Sequence, residues 1–194
     1  MSKAENALKY IEKNTKIVIL GTFPSEASRK SWFYHKPTNQ FWTILSGLYH
    51  CKDICHLPKE QISQDKEKQL IERRKKFLTK HKIGLWDIIK SCDIKGSLDS
   101  SIKNPIYNDI TALKTECQNL EHIYFSSKKA FQYYQKYLKQ TDNYPNLKEL
   151  TYKKWLEKIV IKEALPSPSS ANARMTLAQK QEKWSRLLAL FNDQ

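Results

Sequence analysis

The chain has 194 residues, enough for one domain with a sizeable core, and we predict a single domain over residues 1–194. Its 34 Lys and Arg against 20 Asp and Glu give a net charge of +14, which favours a polyanionic partner such as DNA, although a lysine-rich solubilising surface is the plainer alternative. The N-terminus "MSKAENALKYIEKN" lacks the apolar core of a secretory signal, and no apolar run is long enough to span a membrane. We therefore expect a cytoplasmic, nucleoid-associated protein.

The first half of the chain is predicted to alternate between helix and strand. Ala4–Lys13 has the spacing of an amphipathic helix, and the continuous apolar run "KIVIL" predicts a strand that is buried on both faces. Asn39–His50 is predicted to be a helix with Thr38 or Asn39 as its cap, and Ser63–Lys82 is predicted to be a charged helix.

The second half continues the alternation. The segment "IGLWDII" fits a strand or a short helix, and Gly96–Asp109 is rich in turn residues. His122–Leu138 predicts a strand, a tight turn and a helix, Lys158–Arg174 predicts a strand followed by a Pro/Ser loop, and Leu177–Phe191 predicts a closing helix. The pattern predicts an α/β fold with a mainly parallel sheet and helices on both faces.

The cysteines do not indicate a disulfide framework or a metal site. Cys51, Cys55, Cys92 and Cys117 are few and scattered. The segment "HCKDICH" has a C-x3-C spacing, but no second close pair completes a structural zinc site. We expect free thiols and no bound metal.

Three loops of unusual composition follow predicted strands: "GTFPS", "SSKKA" and "LPSPSSANAR". Ligands of open parallel sheets bind beyond the carboxyl ends of the strands, where these loops should meet. "GTFPS" has neither the phosphate-binding G-x-x-x-x-G-K pattern nor the nucleophile-elbow G-x-S-x-G pattern. Gly21 permits a sharp turn and Pro24 stiffens it, so we expect backbone N–H groups to face a cleft, unless the loop is an ordinary strand-to-helix turn.

Three blocks occur in order: "GTFPS…FYHKPTNQFW", "GLWDIIKSCDIKGSLDSSI…ND" and "LPSPSSANAR". In these blocks the chain resembles the uracil-DNA glycosylase superfamily, most closely its hypoxanthine-DNA (deoxyinosine) glycosylase branch, over roughly residues 16–184. The resemblance implies a three-layer α/β/α sandwich with a central, mainly parallel four-stranded sheet. It also implies a monofunctional enzyme that hydrolyses the N-glycosidic bond of a deaminated base, hypoxanthine or uracil, flipped out of DNA. We expect a monomer, the default for an enzyme that lies along DNA. Such an enzyme leaves an abasic site and uses no metal or diffusible cofactor.

The resemblance also implies a set of site residues. Many relatives carry a water-positioning Asn or Asp in the first loop, where this chain has Phe23, and the hypoxanthine branch places that role on Asn39, which is therefore the expected catalytic residue. A plain helix cap is the alternative for Asn39. The residues expected to bind the base are Gly21, Thr22, Phe23, Pro24, Ser25, Phe33, Tyr34 and Ser126. Those expected to bind DNA are Pro166, Ser167, Pro168, Ser169, Ser170 and Arg174, the last as a charge or as a wedge in the base stack.

The chain departs from its relatives at several positions. Leu165 stands where uracil-specialised relatives carry a histidine, and Ser126-Ser127 replaces an Asn-Gly pair that the branch usually shows. All four cysteines follow the first motif, which argues against the iron–sulfur cluster of some branches. Because of Phe23 and Ser126, a catalytically weakened DNA-binding or damage-sensing module stays open as an alternative. An enzyme acting on free nucleosides is a more remote one.

Overall fold

The computed structural model describes residues 2–96, 98–141 and 160–188. The strands of these residues are β1 (Ser2–Glu5), β2 (Ile17–Gly21), β3 (Ile83–Asp87), β4 (Ile89–Ile94), β5 (Lys103–Tyr107), β6 (His122–Phe125) and β7 (Val160–Ala164). The α-helices are α1 (Glu26–Lys30), α2 (Phe41–Leu48), α3 (Gln64–Lys80), α4 (Leu113–Glu116), α5 (Lys128–Thr141) and α6 (Leu177–Trp184). Short 3-10 helices occupy Lys52–Ile54, Lys59–Gln61, Asp99–Ser101, Ile110–Ala112 and Ser185–Leu187.

The central sheet contains four parallel strands in the order β3-β2-β6-β7. Strand β2 lies in the interior, with Ile17 aligned with Ile83 on one side and with His122 on the other. Every residue of β2 is buried, as the uninterrupted apolar run "KIVIL" predicts for a strand covered on both faces. All four carboxyl ends therefore meet at one edge of the sheet.

A second sheet makes the architecture more complex than the sequence predicts. Strands β1, β4 and β5 form an antiparallel sheet in the order β1-β4-β5. The prediction of a helix over Ala4–Lys13 is wrong, because Ser2–Glu5 pairs with β4 and the Tyr10 backbone exchanges two hydrogen bonds with Leu85, of 2.9 and 2.8 Å. Strand partners far along the chain satisfy these backbone groups and override the local helical pattern.

Alternate residues of the parallel sheet face two separate apolar clusters. Ile17 and Ile19 pack with residues of α2, α3 and α6, whereas Val18 and Leu20 pack with residues of α4, α5 and the antiparallel sheet. The period of two in strand side chains explains this division. Helices thus cover both faces of the parallel sheet, and the chain has an α/β fold.

Most of the predicted helices are present with shifted ends. Helices α2 and α3 lie within the predicted ranges, but Gly96–Asp109 contains strand β5 in addition to its turns. The closing helix begins at Leu177 as predicted and tightens into a 3-10 turn after Trp184, while Phe191 lies outside the described residues. No helix in the described part of the chain is long and apolar enough to cross a membrane.

The four cysteines are free thiols. Cys92 and Cys117 are buried in the apolar cluster beside the antiparallel sheet, and Cys51 and Cys55 are half-buried. The prediction of free thiols is confirmed for all four.

Candidate functional site

A cleft of about 710 Å³ opens where the strands of the parallel sheet end. Its walls come from the segments that follow β2, β4, β6 and β7 and from Asp87 at the end of β3. The predicted site residues that line it are Gly21, Thr22, Phe23, Pro24, Ser25, Phe33, Tyr34, Asn39, Ser126, Ser167, Pro168, Ser169 and Ser170. Pro166 and Arg174 are not among the lining residues. The Pro166 carbonyl accepts a hydrogen bond from Trp184 Nε1 at 2.9 Å, and Arg174 is exposed.

The first loop is fixed by hydrogen bonds on both sides of the turn. The carbonyls of Gly21 and Thr22 accept hydrogen bonds from the N–H groups of Ile88 and Ile89, at 2.9 and 3.1 Å. The guanidinium of Arg29 donates to the Pro24 carbonyl at 2.8 Å. A Cβ atom added at Gly21 would overlap the Asp87 carboxylate, so this close approach requires glycine.

Three predicted aromatic residues differ in what they contribute. Phe33 is 3% exposed, lies in the core, and its carbonyl accepts a hydrogen bond from Trp42 Nε1 at 3.0 Å. Phe23 is buried with the Arg29 guanidinium 5.2 Å from its ring centroid. Tyr34 is half-buried and stacks on Phe41 at a centroid distance of 3.9 Å, with its backbone in the left-handed region at φ 52°. This φ is unfavourable for a non-glycine residue, so the surrounding structure must hold the Tyr34 backbone in place. Tyr34 therefore lines the cleft from a constrained position.

Asn39 sits at the entrance to α2. The N-cap residue of α2 is Gln40, not Thr38 or Asn39 as predicted, but Asn39 Oδ1 accepts the N–H of Phe41 at 2.9 Å, so Asn39 satisfies the first N–H group of the helix and also lines the cleft. The Asn39 carbonyl contacts His56 Nε2 at 3.3 Å, and His56 Nδ1 lies 3.4 Å from the buried Arg74 guanidinium. Burial, together with the charge of Arg74, lowers the pKa of His56 to about 4. A neutral His56 that donates from Nε2 and accepts at Nδ1 therefore holds the Asn39 backbone in place.

Two carboxylates in the cleft were missed by the sequence analysis. Asp87, the last residue of β3, is 5% exposed, and its Oδ2 accepts a hydrogen bond from Asn6 Nδ2 at 3.1 Å. Asp99 Oδ2 accepts a hydrogen bond from Thr22 Oγ1 at 2.8 Å. Burial raises the pKa of Asp87 to about 7, with a further upward push from Asp99, and burial also raises the pKa of Asp99. An acid at the carboxyl end of the apolar strand "IGLWD" is the signal that could have identified Asp87.

Helix α6 joins the Asn39 segment to the Pro/Ser loop. Lys180 is 1% exposed, and its ammonium donates to Gln40 Oε1 at 2.7 Å and to the Ser169 carbonyl at 3.2 Å. The Gln40 N–H donates to the Pro168 carbonyl at 2.8 Å. Two walls of the cleft are thus held together by one buried amine and one backbone hydrogen bond.

Replacing this amine should loosen the junction. We expect Lys180→Met, which keeps the length of the side chain and removes both hydrogen bonds, to speed hydrogen exchange at the Gln40 amide roughly tenfold, because a charge-assisted hydrogen bond contributes more than a neutral one. Exchange followed by mass spectrometry on peptides that contain residue 40 measures the effect.

The matched control is Lys183→Met on the same helix. Lys183 is exposed, so its loss should leave exchange at Gln40 unchanged. Equal exchange rates in the Lys180→Met variant and the unsubstituted protein would show that the amine does not hold the two segments together.

Comparisons with known proteins identify the family of the chain. A family model for the uracil DNA glycosylase superfamily matches residues 8–190. A protein named hypoxanthine DNA glycosylase from Methanosarcina barkeri is 33% identical over 124 residues, 63% of this chain and 70% of that protein. One of the same name from Methanosarcina acetivorans is 30% identical over 173 residues, 89% of this chain and 90% of that protein.

The fold has a counterpart among solved structures. A solution NMR structure from Methanosarcina acetivorans, of a protein proposed to be a uracil DNA glycosylase, is 26% identical and has a TM-score of 0.64. The match covers 96% of this chain and 99% of that chain. The family match over nearly the whole length shows that the chain belongs to the uracil DNA glycosylase superfamily.

Proposed function

We propose that this protein is a monofunctional DNA glycosylase that hydrolyses the N-glycosidic bond of a deaminated base flipped out of DNA. Hypoxanthine is the preferred base in this proposal, and uracil is a slower alternative substrate. The observation that carries the proposal is the cleft itself, which brings Asn39, the first loop and the buried Asp87 together at the carboxyl ends of the strands. The curated relatives named hypoxanthine DNA glycosylase support the choice of base.

The chemistry needs donors near the departing base more than a strong nucleophile. Cleavage of the glycosidic bond develops positive charge on the sugar and negative charge on the base, and fixed donors in a dry site stabilise the negative part. The backbone N–H groups of Thr22, Phe23 and Ser25 supply such donors to a base oxygen; Pro24 has no N–H. Tyr34 offers a ring face against which an extruded base stacks.

Asn39 orients the attacking water in this proposal. Its Oδ1 accepts one hydrogen bond from Phe41, which leaves a second lone pair and the two N–H donors for water and base. An amide is too weak a base to remove a proton from water by itself. The base therefore departs first with the electrons of the glycosidic bond, and the oriented water then adds to the sugar cation and releases its extra proton to the solvent.

Asp87 supplies a proton or a hydrogen bond to the base. With a pKa of about 7, its carboxyl group is substantially neutral at physiological pH and can donate. Hypoxanthine presents an acceptor nitrogen and a carbonyl oxygen on its outer edge, and protonation of a purine nitrogen makes the base a better leaving group. This role suits a purine more than uracil, in keeping with the apolar Leu165 in place of a histidine.

The Pro/Ser loop binds the phosphate backbone of the DNA. Ser167, Ser169 and Ser170 line the same cleft as Lys36, and short hydroxyl donors on a stiff loop suit phosphate oxygens. The net charge of +14 adds a general attraction to DNA that weakens with salt.

We expect hydrolysis without strand cleavage. A lysine that forms a Schiff base with the sugar needs burial or a neighbouring cation to lower its pKa. Lys36, the amine among the described residues that line the cleft, is exposed. The product should therefore be an intact strand with an abasic site.

The test uses end-labelled oligonucleotides that carry one hypoxanthine, uracil or xanthine, single-stranded or paired. We expect alkali-dependent breaks at hypoxanthine, slower breaks at uracil, no breaks without alkali, and no covalent adduct on addition of borohydride. Tight, salt-sensitive binding with no breaks on any substrate would favour the binding module instead. Turnover of free inosine would favour a nucleoside enzyme.

A further inference from the structure

Arg74 of α3 is a buried cation close to the Asn39 segment. It is 0% exposed, its Nη1 atom has no hydrogen-bond partner among the described residues, and none of the ion pairs that those residues form includes it. Burial lowers the pKa of Arg74 to about 9, so the guanidinium is still charged at neutral pH. A buried charge without a carboxylate is costly, and an apolar side chain of similar volume would serve stability better. The role of Arg74 must therefore lie in the groups that it contacts.

The guanidinium fixes the state of His56. Arg74 Nε donates to the Ile54 carbonyl at 2.9 Å, and Nη2 lies 3.4 Å from His56 Nδ1. Because a guanidinium can only donate, His56 Nδ1 has to accept, and the proton of the neutral ring then lies on Nε2. Burial and the charge of Arg74 lower the pKa of His56 to about 4, so the ring stays neutral at physiological pH. Arg74 therefore selects the tautomer that can donate to Asn39.

The peptide bond between Asn39 and Gln40 is held on both sides. His56 Nε2 donates to the Asn39 carbonyl at 3.3 Å, and the Gln40 N–H donates to the Pro168 carbonyl at 2.8 Å. Because a peptide unit is planar, two such bonds fix its orientation and with it the direction of the Asn39 Cα–Cβ bond. A displacement of about 1 Å in a positioned group can cost about a hundredfold in rate. Loss of the His56 contact would free one side of this peptide.

His56 and Arg74 act on the site from outside the cleft, since neither is among the described residues that line it. Resting on the proposed function, we propose that they form a positioning pair: Arg74 keeps His56 as the Nε2–H tautomer, and His56 holds the Asn39 amide where it orients the attacking water. The pair acts through Asn39 and touches neither the base nor the water. It therefore affects the rate of bond cleavage and leaves the affinity for DNA unchanged.

The test is a double-mutant cycle between His56 and Asn39, measured as the single-turnover release of hypoxanthine from DNA. His56→Leu removes both ring nitrogens, and it should lower the rate about tenfold and change the Kd for the same DNA less than about twofold. In an Asn39→Ala background the same substitution should change the rate less than about twofold, because the amide that His56 positions is absent. His56→Gln, whose amide offers a donor and an acceptor, should recover most of the rate.

Arg73→Met is the matched control for Arg74→Met. Arg73 lies next to Arg74 on α3 and donates from Nε to the carbonyl of Asp53 in the neighbouring 3-10 turn at 3.1 Å. Its loss should change the rate less than about twofold, whereas Arg74→Met should slow release about tenfold. Arg74 also lies over Trp42, 4.5 Å from the ring centroid, so melting temperatures accompany these rates, and the His56 variants decide if Arg74→Met does not fold.

The nitrogen chemical shifts of the His56 ring give a readout that does not depend on activity. At neutral pH they should show the Nε2–H tautomer in the unsubstituted protein and a mixture of tautomers in Arg74→Met. An imidazolium or the Nδ1–H tautomer in the unsubstituted protein would contradict the positioning pair.

The possible results separate this inference from the proposed function. An unsubstituted protein that releases no base contradicts the glycosylase function and the positioning role with it. An active protein in which His56→Leu leaves the rate unchanged, or slows it equally with and without the Asn39 side chain, retains the function and overturns the positioning role. A loss confined to the affinity for DNA overturns it as well.

Discussion

Asn39→Ala should lower the single-turnover rate of hypoxanthine release by about 10²–10³-fold, the usual effect of removing one fixed hydrogen-bonding group that acts in the transition state. The substitution removes the acceptor and the donors that hold the water and the base, and no residue of the first loop offers an amide in place of Asn39. The measurement is release of hypoxanthine with enzyme in excess over DNA, which isolates the chemical step from product release.

The variant also removes a helix cap, so stability has to be measured with activity. Loss of the Asn39–Phe41 hydrogen bond should cost about 1 kcal/mol, or about 2–4 °C in melting temperature for a domain of this size. Asn39→Asp keeps an acceptor for the Phe41 N–H and removes the N–H donors. It should unfold like the unsubstituted protein and still act about tenfold or more below it. Full activity in the alanine variant would leave Asn39 as a helix cap alone.

The strand pattern predicts where the cleft lies, whereas the individual site residues follow from the resemblance in the three sequence blocks. The run "KIVIL" predicts a strand inside a parallel sheet, and the loops after such strands meet at one edge, so most of the predicted residues line one cleft. Phe33 shows the limit of this inference. Its position in the motif does not reveal that its side chain lies in a buried cluster, because residues of α3 and α6, distant in sequence, also build that cluster.

The errors in the fold have one physical origin. Ala4–Lys13 has helical spacing, but its backbone pairs with β4 and with Leu85, about 80 residues away in sequence. Such pairings depend on tertiary neighbours that a local pattern does not contain. Asp87 was missed for the same reason, because its raised pKa follows from burial and from Asp99, a neighbour that the fold brings close.

Asp87→Asn should lower hypoxanthine release about 10²-fold at pH 6 and flatten its pH dependence. In the unsubstituted protein, the carboxyl group donates only while it is protonated, so activity should fall as pH rises through about 7, by roughly thirtyfold between pH 6 and pH 8.5 if this group alone sets the profile. An amide keeps a hydrogen-bond donor but has no proton to transfer, and its state does not change over this range.

The pH dependence of folding stability reports independently on the pKa of the Asp87 carboxyl group. Because folding raises the pKa of Asp87 from about 3.8 to about 7, the folded state binds more protons than the unfolded state between these values. The stabilisation from the protonated carboxyl is therefore complete below pH 3.8 and is lost as pH rises through 7. The melting temperature of Asp87→Asn should depend less on pH across this window than that of the unsubstituted protein.

Asp99→Asn is the matched control for the assignment of the pH profile. The titratable groups that interact with the Asp87 carboxyl group include Asp99 and the Tyr34 hydroxyl. The positive charge of Lys129 in turn lowers the pKa of Asp99. Removal of the Asp99 charge should lower the pKa of Asp87 and move the fall in activity to lower pH without abolishing it, since burial is the larger cause of the shift. A profile that is unchanged in Asp87→Asn would assign the titration to another group, and the proton donor to the base would have to be sought elsewhere in the cleft.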